Sequence, residues 1–466
     1  MLFNSLEFLL LFLPLTLVVA LRLRGQPLLS WIAGTSVVFY AFAGHWWFIV
    51  PMLATTVIDY AIAHAIARSP VARRRAALLA LSLTVNLGLL AYFKYAGLLT
   101  RTVAAALGSL GVAPDSRLIA WAQVTLPAGL SFYTFQTLSY VIDVWRGQAR
   151  PEQNFVRFLG FISFFPHLVA GPLTRHHQLI PQLARIAEGG IASRWRAGIL
   201  LFCIGLAKKT LIADRIGNLI DPLLGQTIEL DMIRGWLALL GYAMQIYFDF
   251  SGYSDMAIGL GRLFGIELPK NFDSPYKAES PSDFWRRWHI TLSLWLRDYL
   301  YIPLGGNRCS PARQKFNLMA TMVLGGLWHG ANWTFAAWGC WHGLLLVGHH
   351  AVPAWERRVS LFWRRNITFL LVTLGWVFFR SDTFEHAGQW LGALVGANGL
   401  GRGWSPETGA LLGLVLIGLV IVRGFPNSLE MDLERIGPVP QTGLAFATVA
   451  AIFLMNYRSK FLYFQF

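Results

Sequence analysis

The chain has little charge for its length. Of its 466 residues, 14% are Asp, Glu, Lys or Arg, 55% are hydrophobic, and the mean hydropathy is +0.50. Soluble globular domains carry about 25% charged residues, which cover a surface of this size. The composition therefore excludes an ordinary soluble protein and predicts a membrane protein.

Cysteine is also scarce. Cys203, Cys309 and Cys340 are odd in number and far apart, so the sequence indicates neither a disulfide framework nor a metal site with CxxC spacing. We interpret them as packing residues and expect no bound metal. The sequence also has no Gly-x-Ser-x-Gly motif, which marks the nucleophile of many serine hydrolases.

Long apolar runs are abundant along the whole chain. They are continuous and rich in Leu, Ala and Gly, whereas membrane β-strands alternate with a period of two. We predict spans at 6–22, 29–43, 46–66, 77–97, 118–142, 155–173, 196–220, 235–262, 316–328, 333–350, 366–380, 409–424 and 442–457. The sequence predicts an all-α, polytopic integral membrane protein with about 11–13 transmembrane or re-entrant helices.

The net charge of +15 comes from Lys and Arg scattered among these runs. We interpret them as cations that flank the membrane and face anionic lipid, and we expect no nucleic-acid partner. Basic residues follow the first, third and fifth runs: Arg22, Arg24, Arg68, the triplet 73–75, Arg146 and Arg150. By the positive-inside rule, these loops are cytoplasmic and the N-terminus is extracytoplasmic. We expect the first run to be retained, because it lacks the features of a cleaved signal peptide.

Two of the predicted spans are interrupted by Pro and Gly. The interruptions are Leu126-Pro-Ala-Gly129 and the segment 165–172, Phe-Pro-His-Leu-Val-Ala-Gly-Pro. Irregular backbone at membrane depth is tolerated only where protein or a water-filled cavity satisfies its polar groups. We therefore predict a lined cavity instead of a simple helix bundle.

The apolar run 235–266 contains two carboxylates, Asp249 and Asp255. Acidic groups within a membrane segment are expected to face the protein interior and to find partners there. Two interpretations remain open at this point, a buried hydrogen-bonded strut and a direct role in a reactive site.

A helix is predicted to begin at Ser280, since Ser280 suits the N-cap, Pro281 the first turn, and Asp283 the position three residues after the cap. Continued at the helical period, one face carries Phe284, Trp288, Leu292, Trp295 and Tyr299, and the opposite face carries Arg286, His289, Ser293 and Arg297. The polar face suits either an interfacial helix with its arginines among lipid headgroups or the lining of a polar cavity. The presence of His289 on this face favours the cavity-lining interpretation.

Two Trp-His-Gly tripeptides place His329 and His342 in very apolar stretches. Apolar surroundings favour the neutral imidazole, which can accept a proton as a general base does. Glycines on both sides of His329 would allow a substrate to approach the backbone closely. A buried structural histidine is the alternative at both positions, and His342 suits it better.

Six segments together resemble the membrane-bound O-acyltransferase family, in particular its bacterial alginate O-acetyltransferase branch. The segments are 126–135, 165–172, 247–256, 284–293, 296–308 and 325–332, and the resemblance extends over residues 1–380. It implies a single membrane-embedded domain over 1–466, with a signature region at 118–350 and peripheral helices at 1–110 and 360–466. It also implies a ring of transmembrane and re-entrant helices around a central funnel.

The resemblance implies an acetyltransferase of the bacterial inner membrane with no resident cofactor. Acetyl would pass from a cytoplasmic thioester, acetyl-CoA or another acyl carrier, to an exported polysaccharide, with a periplasmic acetyltransferase as a possible partner. His329 matches the family's catalytic histidine and would be the general base. His289 matches a second signature position, Asn in many eukaryotic members and His in bacterial ones. We expect the site to be lined by Trp328, Asn332, Ser293, Arg297, Asp298, Asp249, Asp255 and His342.

Several alternatives remain open. The acyl group could be D-alanyl or another acyl group moved to teichoic acid or lipid, with a carrier-protein donor. The same residues could line the pore of a polysaccharide exporter, or belong to an assembly subunit with an inactive site. Arg286, Arg297 or Arg308 could contact an anionic donor, and Cys309 or Cys340 could form an acyl-cysteine.

Overall fold

Helices are the regular secondary structure of the described residues. The computed structural model describes residues 1–112, 125–225, 230–352, 355–401, 403–455 and 461–462, and these ranges contain no β-strand. The prediction of an all-α protein is confirmed. Backbone contacts divide the chain into two compact units, Met1–Ile199 with Ala257–Pro269 and Leu200–Met256 with Lys270–Phe466. The single domain over 1–466 stays a prediction.

The first unit contains the N-terminal helices. In chain order they are α1 Leu13–Ala20, α2 Gly25–Ala41, α3 Ile49–Arg68, α4 Ala72–Leu90, α5 Ala96–Ser109, α6 Leu130–Trp145, α7 Phe155–Ser163, α8 Phe165–Leu168 and α9 His176–Gly189. The next helix, α10 Trp195–Ala207, begins in this unit and ends in the second.

The second unit contains the signature segments after residue 200. Its helices are α11 Asp214–Ile220, most of α12 Met232–Leu263, α13 Pro281–Arg287, α14 Ile290–Leu296, α15 Pro311–His329, α16 Trp333–Ala351, α17 Trp355–Arg358, α18 Leu361–Arg380, α19 Phe384–Leu394, α20 Pro406–Gly424 and α21 Pro438–Phe453. Short π-helical segments extend α10 at Lys208–Ala213 and α14 at Arg297–Tyr301.

Three helices among the described residues have the length and composition needed to cross a bilayer. They are Trp46–Arg68, Ala72–Ser109 and Pro406–Gly424, and shorter apolar helices lie at Glu7–Ala20 and Pro438–Phe453. The expected end of the fourth span near residue 97 is wrong, because the helix continues to Ser109. Half of residues 96–109 are Ala or Leu, which favour helix, and the helix stops where Gly111 adopts a φ of 76°.

Both predicted helix breaks are confirmed. The segment 125–129 is not helical, and α6 begins after Gly129, which has a φ of 72°. Helix α7 ends at Ser163, and only the short α8 precedes the irregular residues up to 175. The predicted start of the span 118–142, at residue 118, lies outside the described residues. Helices α9 and α19 lie outside the predicted spans, because both are amphipathic and neither is a continuous apolar run.

The predicted helix start at Ser280 is confirmed, since the Ser280 side chain accepts a hydrogen bond from the backbone N–H of Asp283. A single amphipathic helix through Tyr299 is wrong. Helix α13 ends at Arg287, and His289 adopts a left-handed backbone conformation with a φ of 43° before α14 begins at Ile290. Helical periodicity therefore does not continue across His289, and the predicted shared face of Arg286 with Ser293 is lost.

Helices α15 and α16 form an antiparallel pair that crosses at very short range. A Cβ atom on Gly326 would collide with the carbonyl oxygen of Phe335, and one on Gly339 with the carbonyl oxygen of Met322. Small residues at a helix crossing allow backbones to approach closely, which is how membrane helices gain packing energy. This crossing fixes the end of α15, where His329 lies.

Candidate active site

Two of the histidines singled out by the sequence lie close together in the second unit. His329 is the last residue of α15, and His289 directly precedes α14. Their ring centroids are 6.2 Å apart, and the exposed fractions are 6% for His329 and 0% for His289. The structure thus brings together the two residues that the sequence motifs had nominated, although residue roles stay predictions.

The loop that precedes α13 holds the backbone around His289. Asn271 accepts a hydrogen bond at its backbone oxygen from the N–H of Ile290, at 2.9 Å, and Asp273 donates to the carbonyl of Arg287, also at 2.9 Å. The carbonyl of His289 accepts from Ser293 N at 3.0 Å, as the first turn of α14 requires. Histidine tolerates the left-handed region better than most residues do, and these bonds compensate its cost.

The side chain of Asn271 fixes the tautomer of His289. Asn271 Oδ1 lies 3.2 Å from His289 Nδ1, 3.3 Å from the backbone N of Thr291 and 2.9 Å from Thr291 Oγ1. A backbone N–H can only donate, so the Asn271 atom that it contacts is the accepting oxygen. His289 Nδ1 must then carry a proton, and in the neutral ring Nε2 is the nitrogen with the lone pair.

Aromatic rings surround His329. Its centroid lies 5.1 Å from Trp328, 5.1 Å from Trp338 and 5.4 Å from Phe379. Burial among apolar rings disfavours a charged imidazole, because the ion would lose its hydration. This environment is compatible with the neutral imidazole that the predicted general base requires.

An apolar cavity of about 170 Å³ reaches His329. Along α15 it is lined by Leu318, Thr321, Met322, Gly325 and His329, which recur every three or four residues and so share one helix face. From Leu318 to His329 this face extends about 16 Å, at 1.5 Å per residue. The cavity is therefore a narrow slot with an imidazole at one end.

Two predicted lining residues, Ser293 and Arg297, border this slot together with Trp285, Leu292 and Leu296. Arg297 lies 2.6 Å from Asp298 in an ion pair, and its side chain is 56% exposed. Arg297 can therefore meet an anionic group at the border of the slot.

The glycines around His329 have two different functions. Gly325 lines the slot, and the close approach of a substrate to the backbone there stays a prediction. Gly330 is a packing position, since a Cβ atom on it would overlap the ring of Phe335. The expectation of close substrate approach at Gly330 is therefore wrong.

Other predicted lining residues have structural contacts. Trp328 is buried, with its centroid 6.1 Å from His289. Asn332 caps α16, and its Nδ2 donates to the carbonyl of Asp382 at 2.6 Å. His342 is fully buried, and its centroid lies 4.9 Å from Trp338, the ring that also packs on His329. His342 therefore stands one ring behind the slot.

The two carboxylates of the 235–266 run are neutralised by adjacent lysines. Lys209 Nζ lies 2.6 Å from Asp249 Oδ1 and 2.8 Å from Asp214 Oδ1. Lys208 Nζ lies 2.6 Å from Asp255 Oδ2. The strut interpretation fits these contacts. Sequence reasoning missed the lysines, since they are 40 and 47 residues away from their partners along the chain.

Nothing in the described residues adds a metal to this site. No group of three or more His, Cys, Asp or Glu side chains in that part of the chain is arranged to hold one. Neither Cys309 nor Cys340 is among the residues that line the slot, and Cys309 Sγ instead lies 3.4 Å from the carbonyl of Gly306. The chemical groups at the slot are therefore imidazole nitrogens, apolar walls and the guanidinium of Arg297.

Comparison with known proteins gives consistent results. The profile of the MBOAT, membrane-bound O-acyltransferase family, matches residues 148–380. The chain is 42% identical over 406 residues to "Probable alginate O-acetylase AlgI" of Azotobacter vinelandii, covering 84% of this chain and 78% of that protein. It is 36% identical over 439 residues to "Peptidoglycan O-acetyltransferase" of Helicobacter pylori, covering 86% and 81%. It is 27% identical over 276 residues to "Teichoic acid D-alanyltransferase" of Bacillus subtilis, covering 55% and 69%.

A helical membrane chain that buries two histidines beside an apolar slot has the features of an integral membrane enzyme for group transfer. The profile match and the sequence identities show which family of such enzymes this is. The chain belongs to the membrane-bound O-acyltransferase family, which confirms the resemblance seen in its motifs, and it is an acyltransferase.

Proposed function

We propose that this enzyme moves an acetyl group from acetyl-CoA, at the cytoplasmic face of the bacterial inner membrane, to a polysaccharide on the other side. The main support is the identity of 42% and 36% to proteins named as an alginate O-acetylase and a peptidoglycan O-acetyltransferase. The apolar slot that ends at His329 supplies a route for a thioester arm, and Arg297 on its border supplies a cation for the donor's phosphates.

In the proposed reaction, the hydroxyl oxygen of the acceptor attacks the carbonyl carbon of the thioester while His329 takes the hydroxyl proton. The tetrahedral oxyanion collapses, the carbon–sulfur bond breaks, and the acetyl ester forms. The leaving thiolate takes the proton back from His329, which returns to its neutral form. Apolar walls exclude water, which would otherwise compete as an acceptor.

His289 acts beside this base as an orienting residue. With the proton on Nδ1, neutral His289 offers a lone pair at Nε2, which can accept a hydrogen bond from an amide N–H in the donor's thioester arm. Stabilising the oxyanion would instead require a donor at that nitrogen, and therefore a cationic ring. Complete burial disfavours the cation, so we favour the orienting role for His289.

The proposal also covers the orientation of the chain in the membrane and a partner on the acceptor side. The N-terminus is extracytoplasmic, since Arg-rich segments follow the first, third and fifth apolar runs. In an alternative route, the attacking hydroxyl belongs to a periplasmic acetyltransferase, which completes the transfer to the glycan, and vesicles with this protein alone would then leave the glycan unlabelled.

The test uses the full-length protein reconstituted in vesicles with radiolabelled acetyl-CoA outside and a soluble glycan acceptor inside. We expect label on the glycan with wild type and no transfer with His329→Ala, at equal amounts of folded protein. His350→Ala is the matched control, because His350 is an exposed histidine on α16. Full transfer by His329→Ala would refute the assignment of the base.

Two other functions are separated by the same system. The 27% identity to a teichoic acid D-alanyltransferase favours D-alanyl transfer as the second candidate, and a D-alanyl carrier protein that replaces acetyl-CoA as the productive donor would establish it. A polysaccharide exporter would keep transport after His329→Ala, since a pore does not need a proton acceptor.

A further inference from the structure

A second cavity of the second unit lies away from the two histidines. This cavity has a volume of about 420 Å³, against about 170 Å³ for the slot at His329, and the two share no lining residue. Its apolar walls include Ile204, Leu211, Phe248, Ile421, Val422 and Leu444. A cavity needs only about 10–15 Å³ on this measure to hold one water, and apolar cavities take up apolar ligands instead of water.

One end of this cavity is polar. Lys208 lines it, and its Nζ lies 2.6 Å from Asp255 Oδ2 and 3.2 Å from Ser428 Oγ. Ser428 Oγ in turn donates to the Asp255 carboxylate at 2.7 Å. The lysine and aspartate charges cancel, so this end offers hydrogen bonds without a net charge.

A strained residue borders the same end. Ser274 has a φ of 48°, in a region that L-residues rarely adopt, and its hydroxyl accepts a hydrogen bond at 3.1 Å from Asn427 Nδ2. Ser274 and Asn427 both line the cavity. Backbone strain of this kind concentrates at ligand sites, where the surroundings hold it in place.

The cavity lies where a membrane-spanning helix ends. Ile421 and Val422 belong to the last turns of α20, a candidate span, and the loop after Gly424 supplies Asn427, Ser428 and Met431. The polar end is therefore at the level where hydrocarbon gives way to headgroups. Exposed apolar side chains continue outward from the walls, including Val420 at 59% and Phe446 at 72% exposure, and these surfaces would face lipid.

We propose that this cavity binds one acyl chain of a membrane phospholipid, with the ester of that chain at the polar end. The apolar walls match a hydrocarbon chain, and the ester oxygens match the ammonium donor of Lys208 and the hydroxyl donor of Ser274. The inference rests on the membrane location of the chain and not on the acyl-transfer reaction.

Charge argues against the two other occupants. The phosphates of acetyl-CoA need an accessible cation, whereas the Lys208 side chain is only 14% exposed and is paired with Asp255. An anionic headgroup would also meet Glu430, Asp432 and Glu434, which follow in the same loop. The uncharged ester region of a phospholipid avoids both conflicts.

The experiment reconstitutes the full-length protein in phosphatidylcholine vesicles that contain a phosphatidylcholine with a diazirine on one acyl chain. After irradiation, labelled peptides are mapped by mass spectrometry. We expect label on Leu211 or Ile212 and on the segment 421–431. Val422→Phe should fill the cavity and abolish this label. Val420→Phe is the matched control, because Val420 is exposed on the same helix, and it should keep the label.

A second pair of variants tests the site in case one variant of the first pair fails to fold. Ala207 lines the cavity, whereas Ala445 is exposed on α21. Loss of label with Ala207→Phe and its retention with Ala445→Phe would support the site. Label confined to outward side chains, label unchanged by both filling variants, or label displaced by acetyl-CoA would each overturn it. These outcomes are independent of acetyl transfer, so failure here and failure of the proposed function are distinguishable.

Discussion

Asn271 and His289 are joined by a hydrogen bond of 3.2 Å between Oδ1 and Nδ1, within a loop that buries both residues completely. The bond fixes which imidazole nitrogen bears the proton and also the direction of the ring. Asn271 is thus a positioning residue for His289, and it lies outside every motif that the sequence had suggested.

We expect Asn271→Ala to lower kcat between about fivefold and a hundredfold, the range for a lost hydrogen bond to a buried group, with little change in the KM for acetyl-CoA. Asn271→Asp keeps the accepting oxygen and should restore much of the rate. Steady-state kinetics on reconstituted protein would measure both. Equal loss in the two variants, together with a lower melting temperature, would indicate that Asn271 serves only the fold.

The pH dependence of kcat separates the two possible roles of His289. If both His289 and His329 must be neutral, the rate rises with pH until both rings have lost their extra proton and then levels off. If His289 must be cationic to bind the oxyanion, the profile is bell-shaped. We expect the single rising limb, measured with acetyl-CoA at saturating concentration. A falling limb that disappears in His289→Gln would contradict the orienting role.

Gly325 controls the width of the slot at His329. Gly325→Leu would place a side chain among the residues that line it, where even a Cβ atom lies 3.1 Å from Leu296 Cδ1. We expect acetyl transfer to be abolished and binding of a thioester analogue, measured calorimetrically, to be lost. Gly348→Leu is the control, since Gly348 lies on the neighbouring α16 with open space around it. Normal donor binding by Gly325→Leu would show that the thioester takes another route.

The buried ion pairs around Lys209 stabilise the second unit. Lys209 is 2% exposed between Asp214 and Asp249, so Lys209→Ala would leave two buried carboxylates without their cation. Breaking such a pair costs about 3–5 kcal/mol, and we expect a clearly lower melting temperature in detergent. Lys315→Ala, at an exposed position of α15, should change little. An unchanged melting temperature for Lys209→Ala would show that the carboxylates are satisfied in another way.

Local chemistry was readable from the sequence, and long-range pairing was not. The cap at Ser280 and the breaks around Pro127 and Pro166 follow from side-chain and backbone properties of a few adjacent residues. The left-handed turn at His289 has no such pattern, because histidine is compatible with a helix as well. The turn exists because Asn271, 18 residues earlier, holds it.

The same distinction between local and long-range features applies to the residues of the candidate site. His329 and His289 stood out because an imidazole is unusual in apolar surroundings. Asn271 and Trp338 did not, since a loop asparagine and a tryptophan in an apolar helix are common. Lys208 and Lys209 were read as lipid-facing cations, and only the folded chain shows that they neutralise Asp255 and Asp249.

The left-handed backbone at His289 restricts which amino acids can occupy that place. Asparagine and histidine are among the few side chains that accept a positive φ at small cost, and the β-branched residues are the worst. The family resemblance assigns this position to one or the other of those two. The restriction to these two residues can thus originate in main-chain geometry and not in the chemistry of the side chain. A substitution that removes the imidazole without disturbing the loop is therefore His289→Asn and not His289→Ala.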